Sequence, residues 1–143
     1  VNKWDLASGT NVSAELYKED MYMEFKDLQH YPILFVSALT KRRVSNILEI
    51  AWEIFTKQRD KLSTKELNVW IEKAVKNYPP PATQGKSIKI KFVEQVQQSP
   101  PIFALFSNYP KLISIQYLRY LHNQLRESFD LKGITIKFSL RKG

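Results

Sequence analysis

The chain has 143 residues, no cysteine, two histidines and a formal net charge of +8. That composition excludes disulfides and thiolate metal sites and leaves too few imidazoles for a zinc or haem centre. The longest apolar stretch, residues 33–39, is far too short to span a bilayer, and the opening Val1-Asn2-Lys3-Trp4-Asp5 is no signal peptide, so no membrane partner and a cytoplasmic location are expected.

In chain order, residues 12–28 read as a polar surface helix carrying Glu15, Glu19, Asp20, Glu24 and Asp27. Pro32-Ile33-Leu34-Phe35-Val36 is a short continuous apolar run, which suits a strand buried on both faces in a parallel sheet. A helix is predicted over 44–57, with Val44, Ile47, Leu48, Ala51, Ile54 and Phe55 on one face. The composition changes around residues 59–62. Residues 1–60 carry 8 Lys and Arg against 9 Asp and Glu, whereas residues 61–143 carry 14 against 5. Two units are therefore expected, 1–60 and 61–143, the second facing a polyanion.

The second unit opens with Ser63 and Glu66 spaced as a helix capping box, followed by an apolar face of Leu67, Trp70, Ile71, Ala74 and Val75. Pro79-Pro80-Pro81 ends that helix. In residues 87–93 Ile88, Ile90 and Phe92 alternate with Lys89 and Lys91, which predicts a strand with its isoleucines and phenylalanine inward. A second strand follows over 102–107, then a helix over 114–129 with Ile115, Leu118, Leu121, Leu125 and Phe129 as its core stripe. A last strand sets Ile134, Ile136, Phe138 and Leu140 against Thr135, Lys137, Ser139 and Arg141. The order is α-β-β-α-β, and its natural architecture is a three-stranded sheet with both helices on one face.

Two short motifs in the first unit carry chemistry. Asn2-Lys3-Trp4-Asp5 fits the N-K-x-D pattern by which P-loop GTPases select guanine. An ionised Asp5 accepts from guanine N1–H and the 2-amino group, a donor pair that adenine lacks. A site built for those bonds is left unpaired by the wrong base. Asn2 can tie the loop and reach the purine edge, and the Lys3 stem can cover the base face. Ser37-Ala38-Leu39, directly after the expected buried strand, fits the companion S-A-x motif, whose backbone N–H donates to guanine O6. No G-x-x-x-x-G-K-[ST] phosphate loop is present: the only glycines are Gly9, Gly85, Gly133 and Gly143. This chain alone is expected neither to hydrolyse GTP nor to hold GTP or GDP tightly.

Taken together, these motifs resemble the C-terminal segment of the bacterial GTPases with two tandem G domains, the Der or EngA family. Asn2–Asp5 and Ser37–Leu39 look like the fourth and fifth motifs of the second G domain. Glu66-Leu67-Asn68, Pro79-Pro80-Pro81, Phe103-Ala104-Leu105-Phe106, Tyr117-Leu118-Arg119-Tyr120-Leu121 and Leu125-Arg126-Glu127-Ser128-Phe129 look like markers of that family's C-terminal domain. The resemblance implies the closing portion of an α/β GTPase domain, then an α+β KH-like domain. It implies a parent that binds GTP or GDP with Mg²⁺, hydrolyses GTP, and assembles the large ribosomal subunit by contacting ribosomal RNA. A KH domain's usual G-x-x-G loop is missing, so a different mode of RNA contact is expected. An alternative stays open: the basic domain serves chiefly as a regulatory module that docks on the parent's first G domain.

The residues expected to meet RNA are Lys89, Lys91, Lys137 and Arg141, which share the face opposite the isoleucines; a polar, solvated face is the plainer reading of the same pattern. Lys86, Arg119, Arg126 and Lys142 are weaker candidates. Trp52, Trp70, Phe103, Phe106, Tyr117 and Tyr120 are expected in the core rather than stacked on bases. Neither a catalytic triad nor a metal ligand set is visible.

Overall fold

The computed structural model describes residues 1–7 and 10–143, and the chain divides into two compact units, Val1–Lys57 and Gln58–Gly143. In the first, helix α1 spans Ala14–Glu24, with the Ser13 hydroxyl accepting from the Leu16 N–H at its start. It is shorter than the expected 12–28, because the chain tightens into a 3₁₀ turn over Lys26–His30. Helix α2 spans Ser45–Gln58 and contains no buried residue. Trp52 on α2, expected in the core, is 67% exposed and meets the Phe55 ring at 5.7 Å.

The apolar run Pro32–Val36 is extended but belongs to no strand. Its neighbour is the N-terminal segment: the Val1 amino group donates to the Leu34 carbonyl at 2.7 Å, and Val36 N–H donates to the Val1 carbonyl at 2.9 Å. This is the bonding pattern of parallel neighbours. It breaks off because Lys3, at φ 61°, turns the chain, so the next bond comes from Trp4 N–H to the Val36 carbonyl. Trp4, Tyr17 and Phe35 pack ring to ring at 4.3–6.0 Å and bury Phe35.

The second unit has the expected α-β-β-α-β order. Helix α3 is Thr64–Asn77, strand β1 Ile90–Gln97, strand β2 Ile102–Ser107, helix α4 Ile115–Ser128 and strand β3 Lys137–Lys142. The sheet order is β1-β2-β3, with β1 antiparallel and β3 parallel to β2. Val93, Gln95, Phe103, Leu105 and Ser107 are buried on the face that α3 and α4 cover with Leu67, Trp70, Ile71, Tyr117, Leu121 and Leu125. His122 of α4 meets Phe138 of β3 edge to face at 6.4 Å.

Three local expectations are corrected here. Ser63 starts α3, but its side chain makes no capping bond; its carbonyl accepts from Leu67 N–H instead. The α4 stripe is Tyr117, Leu121 and Leu125, and Ile115, on the first turn, is 69% exposed. In β1, Ile90 pairs with Ser107 but Phe92 pairs with Phe106, so Lys91 is an extra residue, a β-bulge. One added residue inverts the alternation beyond it. Ile88 is buried as expected, whereas Phe92 faces out and Val93 takes the inward place.

Polar groups close the unit. The Asn68 amide of α3 binds the β1 backbone twice, its Nδ2 donating to the Val93 carbonyl at 3.1 Å and its Oδ1 accepting from the Val93 N–H at 3.0 Å. Asn108 bridges the Ser87 carbonyl and the Lys89 N–H in the same way. Arg126 donates to the carbonyls of Leu131 and Ile134 at 2.6 Å, fixing the turn into β3. The Tyr117 hydroxyl donates to the Tyr78 carbonyl and the Tyr120 hydroxyl to the Ala74 carbonyl, both at 2.8 Å. The Tyr78 carbonyl at the C-terminal end of α3 is thus satisfied by α4, and the Ala74 carbonyl, already bonded to Tyr78 N–H, gains a second donor.

Tyr117→Phe leaves the Tyr78 carbonyl without this donor and should cost about 1–2 kcal/mol, read from the denaturant midpoint. Burial, with Tyr120 and Tyr78 alongside, holds the Tyr117 phenol above its ordinary pKa. The folded chain therefore keeps a proton that the unfolded chain releases above about pH 10. Stability should be insensitive to this group below that point and fall as pH rises beyond it, and thermal melts of Tyr117→Phe should show a shallower alkaline decline.

Candidate functional site

In the first unit the two short motifs, far apart in sequence, meet through side chains. Asn2 Oδ1 accepts from its neighbour's N–H, Lys3 at 2.7 Å, and from Ala38 N–H at 3.2 Å, so one amide oxygen ties both loops together. The Ser37 hydroxyl donates to Asp5 Oδ1 and itself accepts from Thr40 N–H at 3.1 Å. Ser37 is buried and its N–H donates to the Arg42 carbonyl at 3.1 Å, so the residues between them form a tight loop, with Lys41 and Arg43 in the left-handed region. The local reason is compact: a small hydroxyl fits where a buried backbone turns, and it fixes the carboxylate rotamer.

What this arrangement can do follows from the donor and acceptor inventory. A carboxylate has about four lone-pair sites, and Ser37 occupies one, so Asp5 keeps capacity for two further donors. Lys3, Ala38 and Leu39 lie on the surface around it, Leu39 at 84% exposure. The open lone pairs of Asp5 can accept from adjacent N–H donors. Among the described residues, no group of three or more His, Asp or Glu could hold a metal ion.

In the second unit, Lys89, Lys91, Lys137 and Arg141 are all exposed. Register places Lys137 opposite Ile102 and Arg141 opposite Phe106, so both lie on the face away from the helices. Lys91 is the bulged residue at the β1 edge, and Lys89 sits one position before Ile90, opposite Asn108. The four cations thus flank β2 from both sides, roughly 10 Å apart at two strand spacings. Of the weaker candidates, Arg126 is turned inward onto the Leu131 and Ile134 carbonyls and does not point to a ligand; its mid-helix position gave no hint of that clamp. Lys86 lies over the Tyr109 ring at 5.0 Å.

The same face carries a feature that periodicity hid. Phe92, Phe106 and Arg141 occupy one row across β1, β2 and β3. The two phenyl rings stack at 4.1 Å with 12° between planes, and the Arg141 guanidinium lies 6.0 Å from the Phe106 ring centre. Alternation alone put Phe92 inside; only the bulge at Lys91 turns it out. On the helix side, a groove of about 650 Å³ runs along α3 and α4, lined by Trp70, Lys73, Asn77 and Gln124 among others.

Residues 61–141 match the family described as KH-domain-like of EngA bacterial GTPase enzymes, C-terminal. Proteins named GTPase Der are similar along nearly the whole chain. That of Amoebophilus asiaticus is 41% identical over 99% of this chain and that of Fusobacterium nucleatum 43% over 97%, covering 33% and 32% of those proteins. The chain spans about a third of the length of the curated relatives it matches. The α-β-β-α-β unit and the matched segment coincide, and the chain belongs to the EngA (Der) GTPase family, with residues 61–141 as its C-terminal KH-like domain.

Proposed function

We propose that this chain is the C-terminal part of a GTP-binding, GTP-hydrolysing factor that works in the bacterial cytoplasm on assembly of the large ribosomal subunit. In this reading residues 1–60 are the closing portion of the second G domain and supply guanine recognition, and the KH-like domain 61–143 contacts ribosomal RNA. The observation that carries it is the joining of Asn2 and Asp5 to Ala38 and Ser37 in a chain that also carries a KH-like domain of a GTPase family. The parallel pairing of Val1 with the segment before Ser37 supports it as well, since neighbouring parallel strands deliver both loops to the same end of a sheet.

The residues present fit a guanine base and nothing more of the nucleotide. Asp5 would accept from N1–H and the 2-amino group, Asn2 and Ser37 would hold the loops in place, and the Lys3 stem would cover the ring. Bound Mg²⁺ would neutralise phosphate charge, and this sequence has no phosphate loop to hold either. Ala38 N–H is engaged by Asn2, so donation to guanine O6 requires that bond to be shared or exchanged.

In the full-length protein, Asp5→Asn presents one acceptor and one donor where guanine needs two acceptors. GTP affinity should fall about 100-fold, and xanthosine triphosphate, whose 2-oxo group takes the new donor, should now bind better. Unchanged preference for GTP would remove Asp5 from the base site. For the basic face, affinity of the 143-residue chain for ribosomal RNA fragments should fall steeply with salt. Replacing Lys89, Lys91, Lys137 and Arg141 together by Ala should flatten the log–log slope by roughly 1.4 or more, about 0.7 for each phosphate no longer neutralised. An unchanged slope would mean that this face does not meet RNA.

A further inference from the structure

We infer that the exposed face of the sheet is a stacking platform for unpaired nucleotides, with Phe92 as the ring that receives a base. This rests on the reading that the basic domain contacts RNA and specifies what kind of RNA it takes.

The row Phe92–Phe106–Arg141 comes at a cost to the fold. Aromatic rings are worth most when buried, and the buried face of this sheet is one residue away in register. The bulge at Lys91 instead sends Phe92 to the solvent side, where it is 39% exposed. One ring face is taken by Phe106, stacked at 4.1 Å, and Phe106 is in turn backed by Arg141 at 6.0 Å. The three groups form a short pile that ends in an accessible ring. Its flanks are cationic: Lys91 beside Phe92 in the chain, Lys89 before it, Arg141 and Lys137 on β3. Among the described residues the carboxylate on this face of the strands is Glu94, opposite Ala104.

Cations alone would suit any phosphate, duplex or single-stranded. A terminal ring with cations on both sides suits a base that has left its own stack, because a paired A-form helix shows its phosphates and hides its base faces. Stacking on an aromatic side chain tolerates any sequence, since every base has a π-face. The platform also needs no G-x-x-G loop, which this chain lacks.

The test uses the 143-residue chain with three labelled RNA probes of roughly 12 nucleotides, within the length one small domain covers. They are an oligoadenylate, a base-paired duplex and an abasic strand of equal charge, and binding is read by fluorescence anisotropy over a salt series. Oligoadenylate should bind tightest. Phe92→Ala should weaken it about 10-fold at unchanged salt slope, leave the duplex and abasic probes as they were, and keep its circular dichroism. Phe92→Trp should restore or tighten oligoadenylate binding, and Phe92→Leu should behave like Ala. If wild type binds all three probes alike, or Phe92→Ala weakens all three equally, or no Phe92 variant changes anything, the platform is wrong while RNA contact stands. If wild type binds no probe even at low salt, RNA contact itself is wrong.

Discussion

The second unit depends on β2 being paired on both edges, antiparallel to β1 and parallel to β3. A strand so placed has no backbone group left for solvent, and Phe103, Ala104 and Leu105 at its centre are fully buried. The parallel step to β3 requires a crossover, which α4 supplies, and α4 is then fixed on the face where β2 is most apolar. With one face of the sheet closed by helices, the strand cations Lys91, Lys137 and Arg141 lie away from them, while Lys65, Lys73, Lys76 and Arg119 are exposed on the helices themselves. The topology thus gives part of the basic surplus of residues 61–143 a fixed place on the open sheet face.

Helices α3 and α4 are joined by tyrosine hydroxyls bonded to backbone carbonyls as well as by apolar contact. The Tyr78 carbonyl at the end of α3 takes the Tyr117 hydroxyl, and the Ala74 carbonyl, which already accepts from Tyr78 N–H, takes the Tyr120 hydroxyl as a second donor. Arg126 does the same for the turn that follows α4. These bonds explain why a core helix carries Tyr117, Tyr120 and Arg126 in the family-like stretches at 117–121 and 125–129: each of these three polar tips answers a particular carbonyl.

Much of this was legible in the residues. Leu67, Trp70, Ile71 and Ala74 recur at helical spacing and are buried, and the alternation of Ile134 and Ile136 with Thr135 and Lys137 reports the true faces. Phe92 was not legible, because a bulge adds one residue and alternation carries no mark of the place where the count slips. Trp52 misled differently. The α2 stripe is a genuine helix face, but amphipathicity says only that a helix has a face to bury, and no residue of α2 is buried here. At the candidate guanine site, Asn2, Asp5 and Ser37 were legible from spacing. Their mutual bonds were not, since periodicity says nothing about which side chains meet across a turn.

Asn68 has a consequence beyond joining a helix to a strand. β1 is an outer strand, and an outer strand offers its N–H and C=O groups to any extended chain that passes. At Val93 both groups are already taken by one side-chain amide that mimics a neighbouring backbone. On the far side, β3 carries Lys137, Arg141 and Lys142, whose charges repel a second copy. A three-stranded sheet with two borders is thus guarded at one by the Asn68 amide and at the other by like charge, which works against a small, strongly basic domain templating its own aggregation.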